Sequence, residues 1–394
     1  MKTISLLATG LAILASPGRV ATPPPEWTGP VGSSKPSLVA TRNGELLVTW
    51  LEPAATGYTL RLAATEKGVW GAPVTVTQSG RLFVNWADFP SVTETSTGTI
   101  VVHWLEKTEA KPYAYHVRLS TSADRGRTWS APVTAHQDLS PTEHGFVSLV
   151  PNRDGSVSVG WLDGGAMTDH NGSMSARMAV LQPDGTMTGE TVLDARTCEC
   201  CQLSMAMARS GLVVAYRDRS EEEVRDIAVV RQVNGKWTDP QPVHRDNWVW
   251  KACPVNGPSI AAAGDQVAVT WYTAAGGRPT VKAAFSANGG ASFGTPVVID
   301  QGSPLGRQQL QLLDAGRAAV VWLELAGDEA EWKVRTVDTR GTAGSPRTIG
   351  NTSRARDSGF PRTALLGTDL FVAWAEPGPT PRESRVRVSR LPMR

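Results

Sequence analysis

An apolar run that opens on Pro, Gly or a neighbour, a polar turn, and a second apolar run closing on an aromatic residue recur along the chain. Examples are KPSLVATRNGELLVTWLEP, FPSVTETSTGTIVVHWLEK, GFVSLVPNRDGSVSVGWLDG and FPRTALLGTDLFVAWAEP. The closing aromatics are Trp50, Trp104, Trp161, Tyr216, Trp271, Trp322 and Trp374, at intervals of 51 to 57 residues. Short alternating runs broken by turn residues predict strands, and a repeat of this length fits one four-stranded propeller blade. A third strand follows each hairpin, as in YTLRLAAT and AYHVRLST. A fourth opens on an aromatic residue near a proline, as in VWGAPVTV, TWSAPVTA and KWTDPQPV. The seventh repeat lacks its fourth strand, whereas a spare copy, EWTGPVGSS, begins at Glu26. Pairing the two closes the ring and removes sheet edges that would template aggregation. The expectation is an all-β, seven-bladed β-propeller closed by an N-terminal strand. The alternative is a six-bladed ring containing one irregular repeat.

Composition agrees with a turn-rich β chain, with 38 Gly, 27 Pro and 14 Trp in 394 residues. The charge balance, 39 basic against 37 acidic side chains, gives no field for nucleic acid or an anionic membrane surface. Lys2, the apolar run Ile4 to Ala15 and the small residues Ser16 and Gly18 read as an export signal over residues 1–18. A single propeller over 19–394, monomeric, without a membrane span and periplasmic or secreted, is the expectation that follows.

Ser122, Asp124, Gly126, Thr128 and Trp129 complete the pattern S-x-D-x-G-x-T-W, and Ser286, Asn288, Gly290, Ser292 and Phe293 repeat it conservatively. In such a turn the carboxylate accepts backbone N–H groups, Gly supplies a positive φ and the aromatic packs beneath the hairpin. On these residues the chain resembles the sialidase-like, Asp-box superfamily, whose sialidase-type members have six-bladed propellers. The resemblance implies that the box is a folding element on the face opposite the active site.

Side chains repeated from blade to blade, even where one blade breaks the series as Thr273 does among the acids, serve the blade, whereas singular ones are better candidates for function. Acids two residues past the aromatic, Glu52, Glu106, Asp163, Asp218, Glu324 and Glu376, belong to the first kind and are expected to cap loop N–H groups. The cysteines belong to the second. Cys198, Cys200, Cys201 and Cys253 all lie just before the innermost strands of two adjacent blades. Cys198 and Cys253 each stand 18 residues ahead of their blade's aromatic. Three chemistries remain open for them. In an exported protein two disulfides would clamp the blades. A C-x-C-C thiolate set with a distant Cys suits copper or zinc, with His244 or His170 as further ligands. A vicinal Cys200–Cys201 pair would be redox-active. Trp248 and Trp250 in HRDNWVWKACP offer stacking surfaces for a ligand, and Asp169 and His170 lie in the long loop of the third repeat.

The resemblance also implies an exo-sialidase or other glycoside hydrolase as the alternative: three arginines holding the substrate carboxylate and a Tyr activated by Glu. The early arginine motif reads Ser34-Lys35-Pro36-Ser37-Leu38 here, and Lys lacks the planar two-pronged contact. Tyr58 and Tyr113, beside Glu52 or Glu106, and the arginines Arg217, Arg354 and Arg356 are the residues available for such a site. The preferred expectation is a non-glycosidase propeller whose cysteine-bearing rim binds a metal ion, a small ligand or a partner protein.

Overall fold

The computed structural model describes residues 25–108, 112–167 and 172–393, arranged as seven antiparallel sheets around an axis. Blade 1 begins with the strands Ser34–Ala40, Leu46–Pro53 and Tyr58–Glu66, and its outer strand is Val74–Ser79. Blades 2 to 6 repeat this plan in chain order. Their innermost strands are Ser91–Glu94, His144–Pro151, Ser204–Met207, Ser259–Ala263 and Pro304–Leu312. Three short 3-10 turns, such as Arg356–Ser358, are the helical elements of the described residues. None is long and apolar enough to cross a membrane.

Blade 7, Arg362–Leu366, Asp369–Glu376 and Arg385–Pro392, takes its fourth strand from the N-terminal side, as the spare repeat predicts. Trp27 pairs with Val388 and Thr28 with Arg387. Trp27 also packs at a tilt against Trp50 of blade 1, at 5.0 Å between ring centroids, so one side chain joins the two ends of the ring.

The core is divided into seven clusters, one at each junction between neighbouring blades. Each repeated aromatic packs toward the preceding blade. Trp104 lies between blades 1 and 2, Trp161 between 2 and 3, and Tyr216 between 3 and 4. Trp271, Trp322 and Trp374 follow at the next three junctions, and Trp50 sits where blade 7 meets blade 1. Three of the repeated acids cap the indoles: Asp163 accepts the Trp161 N–H at 3.0 Å, Glu324 accepts that of Trp322 and the Ser303 backbone N–H at 2.7 Å, and the third is Glu52. Glu106 and Glu376 pair with arginines instead. Glu52 receives both the Trp50 indole, 3.2 Å, and Arg61, 2.5 Å.

A second repeated device ties the innermost strands around the axis. Ser37, Ser148, Ser204 and Ser259 accept the N–H groups of Val92, Met205, Ile260 and Leu310, in each case from the following blade, at 3.1 to 3.3 Å. Where a sheet-to-sheet junction offers no ladder, these hydroxyls satisfy the backbone donors.

The Asp-box turn has the expected chemistry. Asp124 accepts the Thr128 N–H (2.8 Å) and hydroxyl (2.6 Å), and Ser122 Oγ accepts the Gly126 N–H at 2.8 Å. Gly126 has φ +85°, and Trp129 packs on the cluster between blades 1 and 2. Ser286, Asn288 and Gly290 reproduce the turn in blade 5. Both turns follow the third strand, at the end of the ring opposite the cysteines.

Candidate functional site

The loops entering the innermost strands converge with those leaving the second strands, and this mouth carries the chemistry. On blade 4 the second strand ends Tyr216-Arg217, where most other blades have Leu or Ala after the aromatic. Arg217 is 1% exposed. Its guanidinium donates to the carbonyls of Asn256 (3.0 and 2.7 Å), Tyr272 (2.6 Å) and Arg225 (2.5 Å). It also lies under the Trp248 ring, 4.9 Å from the centroid. Asn256 leads into blade 5's innermost strand and Tyr272 lies in the strand paired with it, Gln266–Thr273, so Arg217 fastens the Cys253 side of the mouth to the blade that carries the other cysteines. Its own carbonyl accepts the Cys198 N–H at 3.0 Å.

On that platform the sulfurs meet. Cys198 Sγ stands 2.9 Å from Cys201 Sγ and 3.9 Å from Cys200 Sγ, and the three lie within 4.8 Å of one another. Cys253, arriving from blade 5, stands outside that group of three, and Cys200 lowers its thiol from the ordinary range. All four are free thiols; Cys198 and Cys201 are buried and Cys253 is exposed. Burial alone would raise the Cys198 thiol. Hydrogen bonds from Cys200 and Cys201, with the Arg217 charge, hold it well below the ordinary thiol range. Cys201 is pushed up, by burial first and by the Cys198 charge. Of the three neighbouring sulfurs, Cys198 is the one the surroundings favour as a thiolate.

Glu199, between the first two cysteines, is gripped by Arg219 and by Arg225, the latter at 2.9 Å. Glu223 bonds the same two arginines at 2.7 and 2.8 Å. Arg225 also donates to the Trp250 carbonyl at 2.8 Å, which anchors the loop leading to Cys253. Gly257 closes the approach: a Cβ there would lie 1.9 Å from the Gln202 carbonyl oxygen.

Of the other residues singled out in the sequence, Trp248 is 5% exposed and is wedged between Arg217, Trp250 and Tyr272 as a local core. Trp250 is 44% exposed and keeps a free ring surface beside Cys253's loop. His244 is held apart by Asp246 at 2.9 Å, which also takes the Trp271 indole and Lys282. Among the described residues the metal-capable group of sulfurs contains no histidine. Asp169 and His170 lie outside the described residues. Arg354 is exposed, and Arg356 covers the Trp86 ring at 5.7 Å.

The mouth does not assemble a sialidase clamp from these arginines. Arg217 is saturated by carbonyls. Arg307 likewise spends its guanidinium on the Ala355 and Gly359 carbonyls (3.1 Å each) and the Ser358 hydroxyl. Lys35, in the early arginine position, is pulled down to about 8 by burial, against the opposing charge of Asp357. Glu52 and Glu106 are paired with arginines rather than with Tyr58 or Tyr113.

A different tyrosine, passed over in the sequence, does meet carboxyls near the axis. Tyr115 hydroxyl lies 2.6 Å from Glu143 and 3.0 Å from Asp88. Yet Tyr115 is fully buried and stacked on Phe83, and burial with the two acids pushes its phenol well up, the reverse of an activated nucleophile. The adjoining axial cavity, lined in part by Asp88, Gln202, Gln308 and Arg362, has a volume of about 60 Å³. That holds water rather than a sugar, since ligand pockets start at roughly 300 Å³.

Asp88 yields a pH prediction. Burial raises its carboxyl to about 8, although the Phe146 N–H opposes the shift; Glu143 adds to it and Tyr115 opposes it. A carboxyl raised in the folded state contributes stability that is complete below the unfolded value near 4 and disappears as pH climbs through 8. Glu143, raised to about 6 by burial against its Tyr115 hydrogen bond, acts in the same direction at lower pH. Between pH 6.5 and 8 the native chain is expected to lose about 1 kcal/mol per pH unit through Asp88. Asp88→Asn should flatten that slope in urea unfolding. Equal slopes in the two proteins would contradict the assignment.

Comparisons with known proteins agree with this geometry. The family model described as a BNR repeat-like domain matches residues 56–348. No curated protein sequence matches the chain. Among solved structures, a Dyadobacter fermentans protein of unknown function is 13% identical, with TM-score 0.51, covering 94% of this chain and 96% of that one. Penicillium chrysogenum alpha-L-arabinanase complexed with arabinobiose is 13% identical, with TM-score 0.54, over 94% and 99%. An ulvan lyase of a new polysaccharide lyase family is 10% identical, with TM-score 0.59, over 93% and 95%. At these identities the likeness is one of fold.

Proposed function

The chain belongs to the BNR repeat-like domain family, and from that premise we propose that it is an exported, non-glycosidase propeller whose rim cysteines hold a soft metal ion, copper or zinc. The observation that carries the reading is the cluster of Cys198, Cys200 and Cys201, whose sulfurs lie within 4.8 Å of one another, with Cys253 of the next blade near enough for Cys200 to lower its thiol. Thiolates around a tetrahedral ion at about 2.3 Å stand about 3.8 Å apart. The Cys198–Cys200 separation of 3.9 Å meets that figure. The surroundings favour the anionic form of Cys198, the form a metal ion needs, and the buried Arg217 and Arg225 offset the charge of a thiolate set.

A second reading has its own support. The 2.9 Å between Cys198 and Cys201 is shorter than a tetrahedral edge and favours a dithiol that an external two-electron oxidant, taking up two electrons as two protons leave, converts to a disulfide, with Cys200 and Cys253 as the remaining pair. Elemental analysis and thiol counting on anaerobically purified protein separate the two. The metal reading expects about one copper or zinc per chain, thiols masked until a chelator is added, and at least tenfold weaker binding in Cys200→Ser. Protein with no metal and no titratable thiols would sink it in favour of the disulfides.

A further inference from the structure

We propose that His144, Asp138 and Asp163, with His116 beside them, form a separate site for a divalent transition ion at the junction of blades 2 and 3. His144 opens the innermost strand of blade 3 and Asp163 closes the strand paired with it, directly opposite in register. Asp138 comes from the loop between the two blades. His144 Nε2 faces Asp138 Oδ2 at 3.6 Å and Asp163 Oδ2 at 3.7 Å. Both separations are too long for hydrogen bonds.

The imidazole is fully buried, and its Nε2 has no hydrogen-bond partner. Its other nitrogen, Nδ1, lies 3.2 Å from the carbonyls of Tyr115 and Thr142, which accept its proton. With Nδ1 turned to those carbonyls, Nε2 is the ring atom directed at the two carboxylates. The Asp163 Oδ2 it faces also accepts the Trp161 indole N–H at 3.0 Å, and a cation set between Nε2 and the two oxygens would offset their charge. Ligands around an ion at about 2.0 to 2.2 Å stand about 3.0 to 3.4 Å apart, so the three atoms need to close by only a few tenths of an ångström.

The surroundings hold the carboxylates in place. Asp163 Oδ1 accepts the Gly165 N–H at 3.0 Å, and Asp138 Oδ1 accepts the Ser140 N–H at 2.8 Å. Gly165 leaves the necessary room, since a Cβ there would sit 2.3 Å from Asp138 Oδ2. His136 is a wall and not a ligand: its ring stacks on His144 at 3.9 Å, Nε2 accepts the Val117 N–H and Nδ1 donates to the Asp138 carbonyl. His116 Nδ1 is, like His144 Nε2, buried and without a hydrogen-bond partner. Its ring stands 5.5 Å from that of His144. Imidazole with carboxylate selects a borderline ion rather than the soft ion of a thiolate set.

The test is Co2+ added to the metal-free full chain. Binding here produces weak visible bands without the strong near-ultraviolet absorption of sulfur-to-cobalt charge transfer, so the two sites are read separately in one spectrum. Asp138 is partly exposed and keeps its Ser140 contact as Asn. Asp138→Asn is therefore expected to leave the metal-free unfolding midpoint unchanged, to weaken the sulfur-free component at least tenfold and to reduce the Co2+-induced rise in that midpoint to the part the cysteine site supplies. His144→Gln should abolish the component. A wild-type spectrum with no sulfur-free component, or one unchanged in Asp138→Asn, would overturn the proposal.

Discussion

A chain beginning at Ser34 is expected to lose about 5 kcal/mol of stability relative to one that retains residues 25–33. The deleted segment carries the closure of the ring. Gly29 and Gly32 donate to the Val386 and Ser384 carbonyls at 2.8 Å each, and Ser33 Oγ accepts the Val386 N–H at 2.9 Å. At about 1 kcal/mol net for each hydrogen bond, these contacts supply over half of the effect. The rest comes from Trp27, which lies 5.0 Å from Trp50 and 5.6 Å from Trp70 between ring centroids. Its loss strips one wall from the cluster between blades 7 and 1. Urea unfolding measures the difference, and a peptide spanning 25–33 added in trans should restore part of it. A midpoint within about 1 kcal/mol of the parent would show that the junction holds without its borrowed strand.

Replacing Arg217 with Met is expected to cost about 3 to 5 kcal/mol, because three buried carbonyls lose a charged donor at once. Met matches the length of the stem, so lost packing contributes little. Arg219→Met, on a side chain 18% exposed and bonded mainly to carboxylates, serves as the comparison and should cost about 1 kcal/mol. Because Arg217 also stabilises the Cys198 thiolate, alkylation of the cluster at neutral pH should slow in Arg217→Met. Equal unfolding midpoints for the two variants would remove Arg217 from its place as the tie between blades 4 and 5.

The ring was legible because each blade repeats one demand. An aromatic must fill the space toward the preceding blade, so Trp50 through Trp374 mark the junctions, and the missing outer strand of blade 7 announces the spare one at Trp27. The meeting of the cysteines was legible for the same reason, since equal offsets from the blade aromatic bring Cys198 and Cys253 to one mouth. Features defined by departure were harder to read. Arg217 stands where Leu51, Leu105, Leu162 and Leu323 stand in other blades, and that polar substitution at a core position was the available signal.

Other parts of the mouth depend on geometry the repeat does not encode. Tyr115 and Asp88 reach each other across 27 residues of sequence, and the pairing gives no periodic trace. Asp163 read as one of the repeated caps of loop N–H groups; it takes the Gly165 N–H and also the Trp161 indole, and its second orientation toward His144 depends on the irregular loop that delivers Asp138. Trp248 read as a ligand platform equally with Trp250; only packing against Arg217 and Tyr272 separates the buried ring from the exposed one.

X-ray absorption at the metal edge of native protein tests the thiolate centre most directly. Three or four sulfur scatterers at about 2.3 Å are the predicted result, with their number reduced in Cys200→Ser. A first shell of nitrogen and oxygen alone, or metal-free protein with all four cysteines oxidised, would contradict it.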